Sequence, residues 1–278
     1  MKIIADSSTT RTEWVLMEEG NVVEHAFTTG LNPFFQNRRD LSHAIRLELP
    51  ECFFRRRWEH VYFYGAGCSN LEKRKVMESS LVAQFRTPVT VESDLLGAAR
   101  GLLVHEPGLA CIIGTGSNSC MYDGHEITRN VPPLGYVLGD EGSGAYLGKI
   151  LVADVLRGLA PKGLCREFMD TFSVTPNMLM DAVYTNSLPS RALAAYSVFL
   201  AERLDDEYAY GLVYDGFMRF FERNIAAYDH ADGISVVGKT ANVFRTVLER
   251  AAADYGVKIN KIVPNSMPGL IEYHKSDD

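Results

Sequence analysis

Lys2-Ile-Ile-Ala-Asp6, which runs directly into Ser7-Ser-Thr-Thr-Arg11, is the first copy of a pattern that occurs twice in the chain. The second copy is Leu109-Ala-Cys-Ile-Ile113, which runs into Gly114-Thr-Gly-Ser-Asn-Ser119. Each copy is an apolar strand-like run, a turn rich in hydroxyls or glycine, and another strand-like run, so each predicts a β-hairpin. Backbone N–H groups and hydroxyls crowded at such bends can form anion-binding nests for phosphate. The two copies predict two half-sites that hold one nucleotide.

Length and composition bound the fold and the partners. The 278 residues exceed the usual size of one domain and suffice for two cored domains. The formal net charge of −7 opposes nonspecific attraction to nucleic acid or to an anionic membrane, so neither is an expected partner. The apolar run before Asp6 is only Ile3, Ile4 and Ala5, and no apolar run approaches membrane-spanning length. We therefore expect a cytoplasmic protein.

Cysteine and histidine spacing gives no sign of a metal cluster. The five cysteines are widely spaced, with no Cys-x-x-Cys pair, and predict reduced thiols in the core or at its edge. The seven histidines are scattered singly, so none is assigned a catalytic role.

The hydrophobic periodicity predicts a duplicated architecture. The first copy has predicted strands at 2–6, 12–18 and 21–28, a helix at 38–49, a strand at 58–64, a helix at 70–84 and a strand at 89–91. A helix capped by Ser93 or Asp94 runs to His105. Strands at 109–113, 119–122 and 125–130 then restart the three-strand meander. The remainder is predicted as helices at 143–158, 164–172, 176–184, 190–204 and 206–228, a strand at 234–237, a helix at 242–255, a strand at 257–262 and a closing helix at 267–274.

Seven motifs occur in a fixed order along the chain: Ile4-Ala-Asp-Ser-Ser-Thr-Thr-Arg-Thr-Glu-Trp14, Gly30-Leu-Asn-Pro33, Tyr64-Gly-Ala-Gly67, Asp94 followed by Leu-Leu-Gly-Ala-Ala-Arg, Gly114-Thr-Gly-Ser-Asn118, Leu134-Gly-Tyr-Val-Leu-Gly-Asp-Glu-Gly-Ser-Gly144 and Val236-Val-Gly238. This order resembles the actin, sugar-kinase and heat-shock-protein ATPase superfamily. Within it, the chain is similar to the BadF/BadG/BcrA/BcrD ATPase-like branch, which includes N-acetylglucosamine kinases.

The resemblance implies an α/β fold of two ribonuclease-H-like lobes, each a mixed sheet with flanking helices, around a nucleotide cleft. The N-terminal lobe would be 1–104, completed by 267–278, and the C-terminal lobe 105–266 with a helical insertion. ATP and Mg²⁺ are the implied cofactors, a small sugar is the implied partner, and a homodimer is a family expectation.

The resemblance also implies roles for individual residues. Asp6 would hold magnesium, and Asp94 would be the general base that takes the proton of the attacking sugar hydroxyl. ATP would be bound by Ser8, Thr9, Thr10 and Arg11 in the first hairpin, by Gly114, Thr115 and Gly116 in the second, and by Gly238 and Lys239 beside the adenosine. The amino sugar would be bound by Asn32, Ser117, Asn118, Gly135 and Asp140.

The residues by themselves leave simpler roles open. Asp6 could be an ordinary turn carboxylate, and Asp94 could only cap its helix. Asn32 could be a pre-proline turn residue. Asp140 could be a charge at the N-terminus of the helix starting near Gly142, and Lys239 could point into solvent.

Three segments of the chain depart from the pattern of relatives. In the first hairpin, Ser8 replaces a glycine and Arg11 a lysine; if the Ser8 position needs a positive φ, a Cβ there is strained. Lys239-Thr240 replaces Gly-Ser followed by a small or apolar residue. Pro133-Leu-Gly135 replaces Gly-Trp-Gly, so the tryptophan is absent.

Three functions remain for the chain. The leading hypothesis is ATP-dependent phosphorylation of an N-acetylated hexosamine, at the 6-hydroxyl of N-acetylglucosamine. The second is an ATPase that activates a dehydratase or reductase, a class whose members bind an iron–sulfur cluster through cysteines. The third is a sugar- or nucleotide-binding regulator that has lost turnover, suggested by Ser8 and Lys239.

Overall fold

A computed structural model of the chain describes residues 1–55, 58–229 and 232–275. The strands are β1 (Lys2–Ser7), β2 (Arg11–Glu18), β3 (Asn21–Thr29), β4 (His60–Gly65), β5 (Val89–Ser93), β6 (Gly108–Ile113), β7 (Ser117–Tyr122), β8 (Ile127–Val131), β9 (Ile234–Val237) and β10 (Ile259–Val263). The helices are α1 (Arg38–Glu48), α2 (Leu71–Phe85), α3 (Asp94–Leu103), α4 (Gly135–Leu138), α5 (Gly144–Arg157), α6 (Lys162–Phe172), α7 (Pro176–Tyr184), α8 (Pro189–Ala201), α9 (Glu207–Phe220), α10 (Lys239–Val243), α11 (Arg245–Tyr255) and α12 (Met267–Lys275). Within the described residues, no helix has the length and apolar character needed to cross a bilayer.

Two five-stranded sheets carry the same topology. The first has the order β3-β2-β1-β4-β5 and the second β10-β9-β6-β7-β8. In reverse, the second order is β8-β7-β6-β9-β10. Each of these strands occupies the position that the strand numbered five lower has in the first sheet. The predicted hairpins are confirmed, since β1 pairs with β2 in antiparallel fashion and β6 is hydrogen-bonded to β7. The predicted α/β fold with a duplicated mixed sheet is therefore confirmed.

The chain forms two compact units. Unit 1 contains 1–107, 122–127 and the segment from Ser266 onward, and unit 2 contains 108–121 and 128–265. These bounds differ from the lobe ranges proposed above, because 105–107, 122–127 and Ser266 lie in unit 1. The last three residues of the proposed closing segment, 276–278, lie outside the described residues.

Strand register places the ends of three parallel strands of unit 1 at one edge of the sheet. Ser7 of β1 is opposite Gly65 of β4, which is opposite Ser93 of β5. Asp6 and Asp94 lie beside this row, one at each side of β4. Neighbouring parallel strands are about 4.8 Å apart. Because β4 lies between them, the backbones of Asp6 and Asp94 are separated by two such spacings, about 10 Å.

The central strand β1 is buried on both faces. Ile3 and Ala5 face a core that contains Trp14 and the buried side chains of α1 and α2, whereas Ile4 faces Leu270 of α12. This alternation follows from the two-residue period of a strand. Helix α12 is therefore an integral layer of unit 1.

Two predicted helices of unit 2 are corrected by the structure. The helix predicted at 206–228 ends as α9 at Phe220 and continues as a π-helical turn, Phe221–Ile225. This wider turn adds a residue and accompanies the complete burial of the adjacent Phe220 and Phe221. The helix predicted at 242–255 starts earlier, at Lys239, and is interrupted at the buried Phe244.

Candidate functional site

Asp6 is a partly buried carboxylate surrounded by polar and acidic groups of unit 1. The hydroxyl of Ser266 donates a hydrogen bond to its Oδ2. Burial raises the pKa of Asp6 to about 6. The hydrogen bond from Ser266 acts in the opposite direction, and the charges of Asp94 and Glu13 raise the pKa further. Glu13 contributes because it lies directly opposite Asp6 in the β1–β2 pair.

Asp94 begins helix α3 but is not its cap. The cap is Ser93, whose Oγ accepts a hydrogen bond from the backbone N–H of Leu96 at 3.2 Å. Oδ1 of Asp94 accepts one from the N–H of Leu95 at 2.9 Å. Burial raises the pKa of Asp94 above the ordinary value. A carboxylate with increased basicity suits a proton acceptor.

The surroundings of Asp6 fit a magnesium ion that is held mainly by waters and phosphate oxygens. The described residues contain no group of three or more His, Cys, Asp or Glu side chains that could hold a metal. Mg²⁺ commonly uses one or two carboxylates and completes its six ligands with water and substrate phosphate. Asp6 supplies such a carboxylate, and the nearby negative charges of Asp94 and Glu13 favour a cation beside it.

The first hairpin is closed by the side chain of Ser8. Its Oγ donates to the carbonyl of Arg11 at 3.0 Å and accepts from the N–H groups of Thr10 and Arg11 at 3.3 and 3.2 Å. Two amides that could face a phosphate therefore point to a hydroxyl of the same turn. Ser8 does not have a positive φ, so the strain considered for this position does not arise.

The other residues of the first hairpin lie at its exposed end. Thr9 and Thr10 are partly exposed. The guanidinium of Arg11 lies over the ring of Phe27, with 4.1 Å from Cζ to the ring centroid. A cation on an aromatic face is stabilised by the ring quadrupole. The side chain of Arg11 thus extends from β2 over Phe27 of β3.

The motif that begins at Gly30 packs against the first hairpin. A Cβ added to Gly30 would lie 2.6 Å from the carbonyl oxygens of Ser8 and Thr9, so only glycine fits at this approach. Asn32 is buried, and its Oδ1 accepts from the N–H of Phe34 at 2.9 Å. A Cβ on Gly67 would overlap that same Oδ1. Asn32 therefore has a turn role, while its Nδ2 makes no hydrogen bond to the described residues.

The second hairpin is tied to the start of α5. The N–H of Gly144 donates to the carbonyl of Gly114 at 2.8 Å, and that of Ala145 to the carbonyl of Thr115 at 3.0 Å. These are N–H groups that a helix leaves without intrahelical partners. The hairpin also closes on itself, through the N–H of Gly114 and the carbonyl of Gly116 at 2.9 Å. Its backbone is thus rigidly placed at the end of β6.

Gly238 brings the proposed adenosine-side loop against this hairpin. Its φ is +139°, and an added Cβ would lie 2.2 Å from the carbonyl oxygen of Ile113. The hydroxyl of Thr240 donates to the carbonyl of Gly114 at 2.8 Å. Lys239 is exposed at the start of α10 and makes no ion pair with the described residues. The loop and hairpin form one structure.

The proposed sugar residues of unit 2 are only partly brought together. Asp140 accepts a hydrogen bond from the N–H of Ser117 at 3.1 Å, and its carboxylate lies close to Gly116. Asp140 has φ +56° and is not a cap, since Ser143 caps α5. Asn118 instead bonds through Oδ1 to the N–H of Ser119 and to Nδ2 of Asn130, both at 2.9 Å.

Gly135 lies in the short helix α4, which the sequence pattern did not predict. Its φ is +75°, that of Leu134 is +62°, and an added Cβ at Gly135 would meet no atom within 4 Å. The loop is joined to Asp140 through a hydrogen bond from the N–H of Asp140 to the carbonyl of Pro133 at 3.1 Å. Gly135 therefore lies in the loop that this hydrogen bond closes, and its α-carbon does not pack against the second hairpin.

Sequence reasoning missed two groups at Asp6. Glu13 could have been found from the two-residue alternation of the predicted hairpin, which places it across from Asp6. Ser266 carries a local signal only for a helix start, as a serine before Met267-Pro268. Its contact with Asp6 spans 260 positions of sequence and has no local signal.

Comparison with known proteins identifies a relative at substantial identity. No family model matches the chain. No curated protein sequence matches it either. The structure of a candidate N-acetylglucosamine kinase from Porphyromonas gingivalis is 38% identical, with a TM-score of 0.95, over 100% of this chain and 99% of that one.

Two further structures share the fold. A candidate N-acetylglucosamine kinase from Chromobacterium violaceum has a TM-score of 0.76 and 21% identity over 98% of both chains. MreB 5 of Spiroplasma citri, bound to AMPPNP, has a TM-score of 0.58 and 12% identity over 100% of this chain and 95% of that one. From the full-length identity of 38%, the chain belongs to the same family as the candidate N-acetylglucosamine kinase from Porphyromonas gingivalis.

Proposed function

We propose that this protein is an ATP-dependent sugar kinase that phosphorylates an amino sugar, with N-acetylglucosamine as substrate and its 6-hydroxyl as acceptor. We assign it to the BadF/BadG/BcrA/BcrD ATPase-like branch of the superfamily. ATP and Mg²⁺ are the proposed cofactors. The full-length relationship to a candidate N-acetylglucosamine kinase supports this substrate class.

The observation that carries the proposal is the arrangement of Asp6 and Asp94 in unit 1. The register of the parallel strands places both carboxylates at the same edge of the sheet. In phosphoryl transfer a carboxylate can hold the metal, and a second carboxylate can accept the proton of the attacking hydroxyl. Asp6 and Asp94 have the chemistry of these two roles.

Asp94 is the proposed general base. The helix cap is supplied by Ser93, so the carboxylate of Asp94 is not required for capping. Its Oδ2 would accept the proton of the sugar hydroxyl as that oxygen attacks the terminal phosphorus of ATP. The increased basicity that burial gives to this carboxylate favours proton acceptance.

Asp6 is the proposed metal carboxylate, with Ser266 fixing its Oδ2. Magnesium, when bound, would neutralise negative charge on the phosphate oxygens of ATP. Ser8, Thr9, Thr10 and Arg11 are proposed to contact ATP from unit 1. The proposed ATP contacts of the second hairpin and the adenosine-side loop are Gly114, Thr115, Gly116, Gly238 and Lys239.

Asn32, Ser117, Asn118, Gly135 and Asp140 are the proposed sugar residues. The free Nδ2 of the buried Asn32 is a donor held in place by the turn that its Oδ1 closes. The carboxylate of Asp140 is fixed beside the second hairpin by its hydrogen bond from the N–H of Ser117. Such donors and acceptors, when buried, discriminate against sugars that leave them unpaired.

A coupled ADP-release assay with Mg²⁺ and ATP, scanned across amino sugars and neutral hexoses, tests the function. We expect sugar-dependent ADP release that is greatest with N-acetylglucosamine, and a product whose phosphorus couples to the C6 protons in NMR. Release that does not depend on any sugar would favour the dehydratase- or reductase-activating ATPase instead. Absence of release with every sugar, while ATP still binds, would overturn the kinase proposal.

A second candidate, a regulator with weakened turnover, is favoured by one observation. The hydroxyl of Ser8 occupies the N–H groups of Thr10 and Arg11 within the first hairpin. A phosphate that needs these amides must displace the hydroxyl. This competition would lower the affinity for ATP without changing the fold.

Replacement of Ser8 by glycine should therefore increase nucleotide affinity. The Ser8→Gly variant frees two amides for the phosphate, and one hydrogen bond contributes about 0.5–1.5 kcal/mol, so KM for ATP is expected to fall about 3- to 10-fold. Ser8→Ala is the matched variant, because it also removes the hydroxyl but keeps Cβ. Equal gains in both variants would identify the hydroxyl as the cause, a gain only in Ser8→Gly would identify Cβ, and no gain in either would contradict the competition.

A further inference from the structure

Ser266 occupies the N-cap position of α12, but its hydroxyl bonds outside that helix. The N–H of Leu270 donates to the carbonyl of Ser266 at 3.0 Å, which is the first helical bond of α12. A serine at this position ordinarily uses its hydroxyl oxygen to accept from the second or third N–H of its own helix. Here the hydroxyl donates to Oδ2 of Asp6 on β1. Ser266 is almost fully buried, with 5% of its surface exposed.

The position of Ser266 is fixed by close packing between α12 and α3. A Cβ added to Gly269 would lie 1.8 Å from the carbonyl oxygen of Gly101, and one added to Gly101 would lie 2.6 Å from Cβ of Ser266. The helices therefore approach at backbone distance, which only glycine permits. Because α3 also begins with Asp94, one rigid helix pair holds both Ser266 and the proposed base.

The far end of α12 is fastened as well. The hydroxyl of Tyr64 and Nε2 of His274 are hydrogen-bonded at 2.9 Å. Arg100 donates to the same hydroxyl at 3.0 Å. These contacts join α12 to β4 and α3 inside unit 1. The hydroxyl of Ser266 thus approaches Asp6 from a support with little freedom to move.

We infer that Ser266 is a positioning residue for the metal carboxylate of Asp6, so that the C-terminal helix α12 forms part of the catalytic centre. This inference rests on the proposed function. The hydrogen bond restricts the rotamer of Asp6, so the carboxylate would be held in one orientation toward the cation. Loss of a group that orients a metal ligand typically lowers metal affinity about 10- to 100-fold.

A purely structural role for Ser266 would give a different result. If the serine only supported α12, its replacement would lower the stability of the protein but affect nucleotide binding equally with and without magnesium. The Mg²⁺-dependent part of nucleotide affinity is therefore the measurement that separates the two roles.

The experiment is calorimetric titration of ADP and ATP into the full-length protein, with Mg²⁺ and with EDTA. The test variant is Ser266→Ala. Its matched control is Ser80→Ala, since Ser80 is also a buried serine of unit 1 but bonds within α2 to the carbonyl of Val76 at 2.8 Å. We expect Ser266→Ala to reduce the Mg²⁺-dependent gain in affinity about 10-fold or more, with the EDTA values unchanged. Ser80→Ala should retain the wild-type gain.

The outcomes distinguish this inference from the proposed function. A wild-type gain with Mg²⁺ that Ser266→Ala retains in full would overturn the positioning role alone. Absence of any wild-type gain would overturn the metal site of the proposed function and this inference with it. Should Ser266→Ala fail to fold, Ser266→Cys keeps a weaker donor of similar size, and an undiminished gain in that variant would likewise count against the inference.

Discussion

The Asp94→Asn variant is expected to lose about 10²- to 10⁴-fold in kcat for sugar-dependent ADP release, which is the range that general-base catalysis contributes. The carboxamide keeps the size of the side chain and can still accept from the N–H of Leu95, but it cannot take a proton. Helix α3 should remain intact because Ser93 caps it. The melting temperature and the affinity for ATP are therefore expected to be close to those of the wild type.

Asp123→Asn is the matched control, because it makes the same chemical change at an exposed turn that lies outside the proposed site. Asp123 accepts from the N–H groups of His125 and Glu126 at 2.9 and 2.8 Å. We expect this variant to retain wild-type kcat. If Asp94→Asn retained more than a tenth of the wild-type kcat while folding normally, Asp94 would not be the base.

The Asp6→Asn variant is expected to change activity and stability in opposite directions. Removal of a metal carboxylate should lower kcat/KM about 10²- to 10³-fold, because charge stabilisation by a metal is worth several kcal/mol. The apoprotein should become more stable at pH 8, by about 1–3 kcal/mol, since the ionised carboxylate there is desolvated and close to Asp94 and Glu13. Assays of ADP release and denaturant unfolding without magnesium measure the two effects.

The sign of the pH dependence follows from the raised pKa of Asp6. Its folded pKa of about 6 exceeds the ordinary value of 3.8, so between these values the folded state binds more protons than the unfolded state. The contribution of Asp6 to stability therefore increases as pH falls through 6 and is complete below about 4. The stability difference between Asp6→Asn and wild type should accordingly shrink from pH 8 to pH 5. A difference independent of pH would contradict a raised pKa.

Activity should depend on pH in the reverse sense. A carboxylate must be ionised to hold a cation, so the wild-type rate is expected to fall as pH decreases through about 6. Saturating Mg²⁺ should move this decline to lower pH, because the cation competes with the proton. The pH profile of kcat/KM at two magnesium concentrations measures this shift.

The fold could be predicted from the sequence because the patterns that indicate strands and turns involve residues close together in the chain. The alternation in Lys2-Ile-Ile-Ala-Asp6 and the turn after it predict a hairpin from residues that are neighbours in the chain. The same local pattern recurs before Gly114, and it correctly predicts a second sheet of the same topology. Helix ends were less well predicted where burial overrides periodicity, as at the adjacent Phe220 and Phe221.

The candidate residues at strand ends could also be named from sequence. Asp6 ends one predicted strand and Asp94 follows another, and parallel strands in register bring such ends to one edge of a sheet. The role of Ser8 could not be inferred in this way. Whether a turn serine strains the backbone or closes the turn depends on φ and on hydroxyl geometry, which the order of residues leaves undecided.

The sequence by itself thus determined the duplicated α/β architecture and two acidic residues at strand ends. Tertiary structure alone decided which groups surround those acids. Ser266 reaches Asp6 because Gly101 and Gly269 let two helices meet at backbone distance, far apart in sequence from the strand they cover. Local propensities act over a few residues, whereas the pKa and orientation of a buried carboxylate depend on every group packed around it, wherever that group lies in the chain.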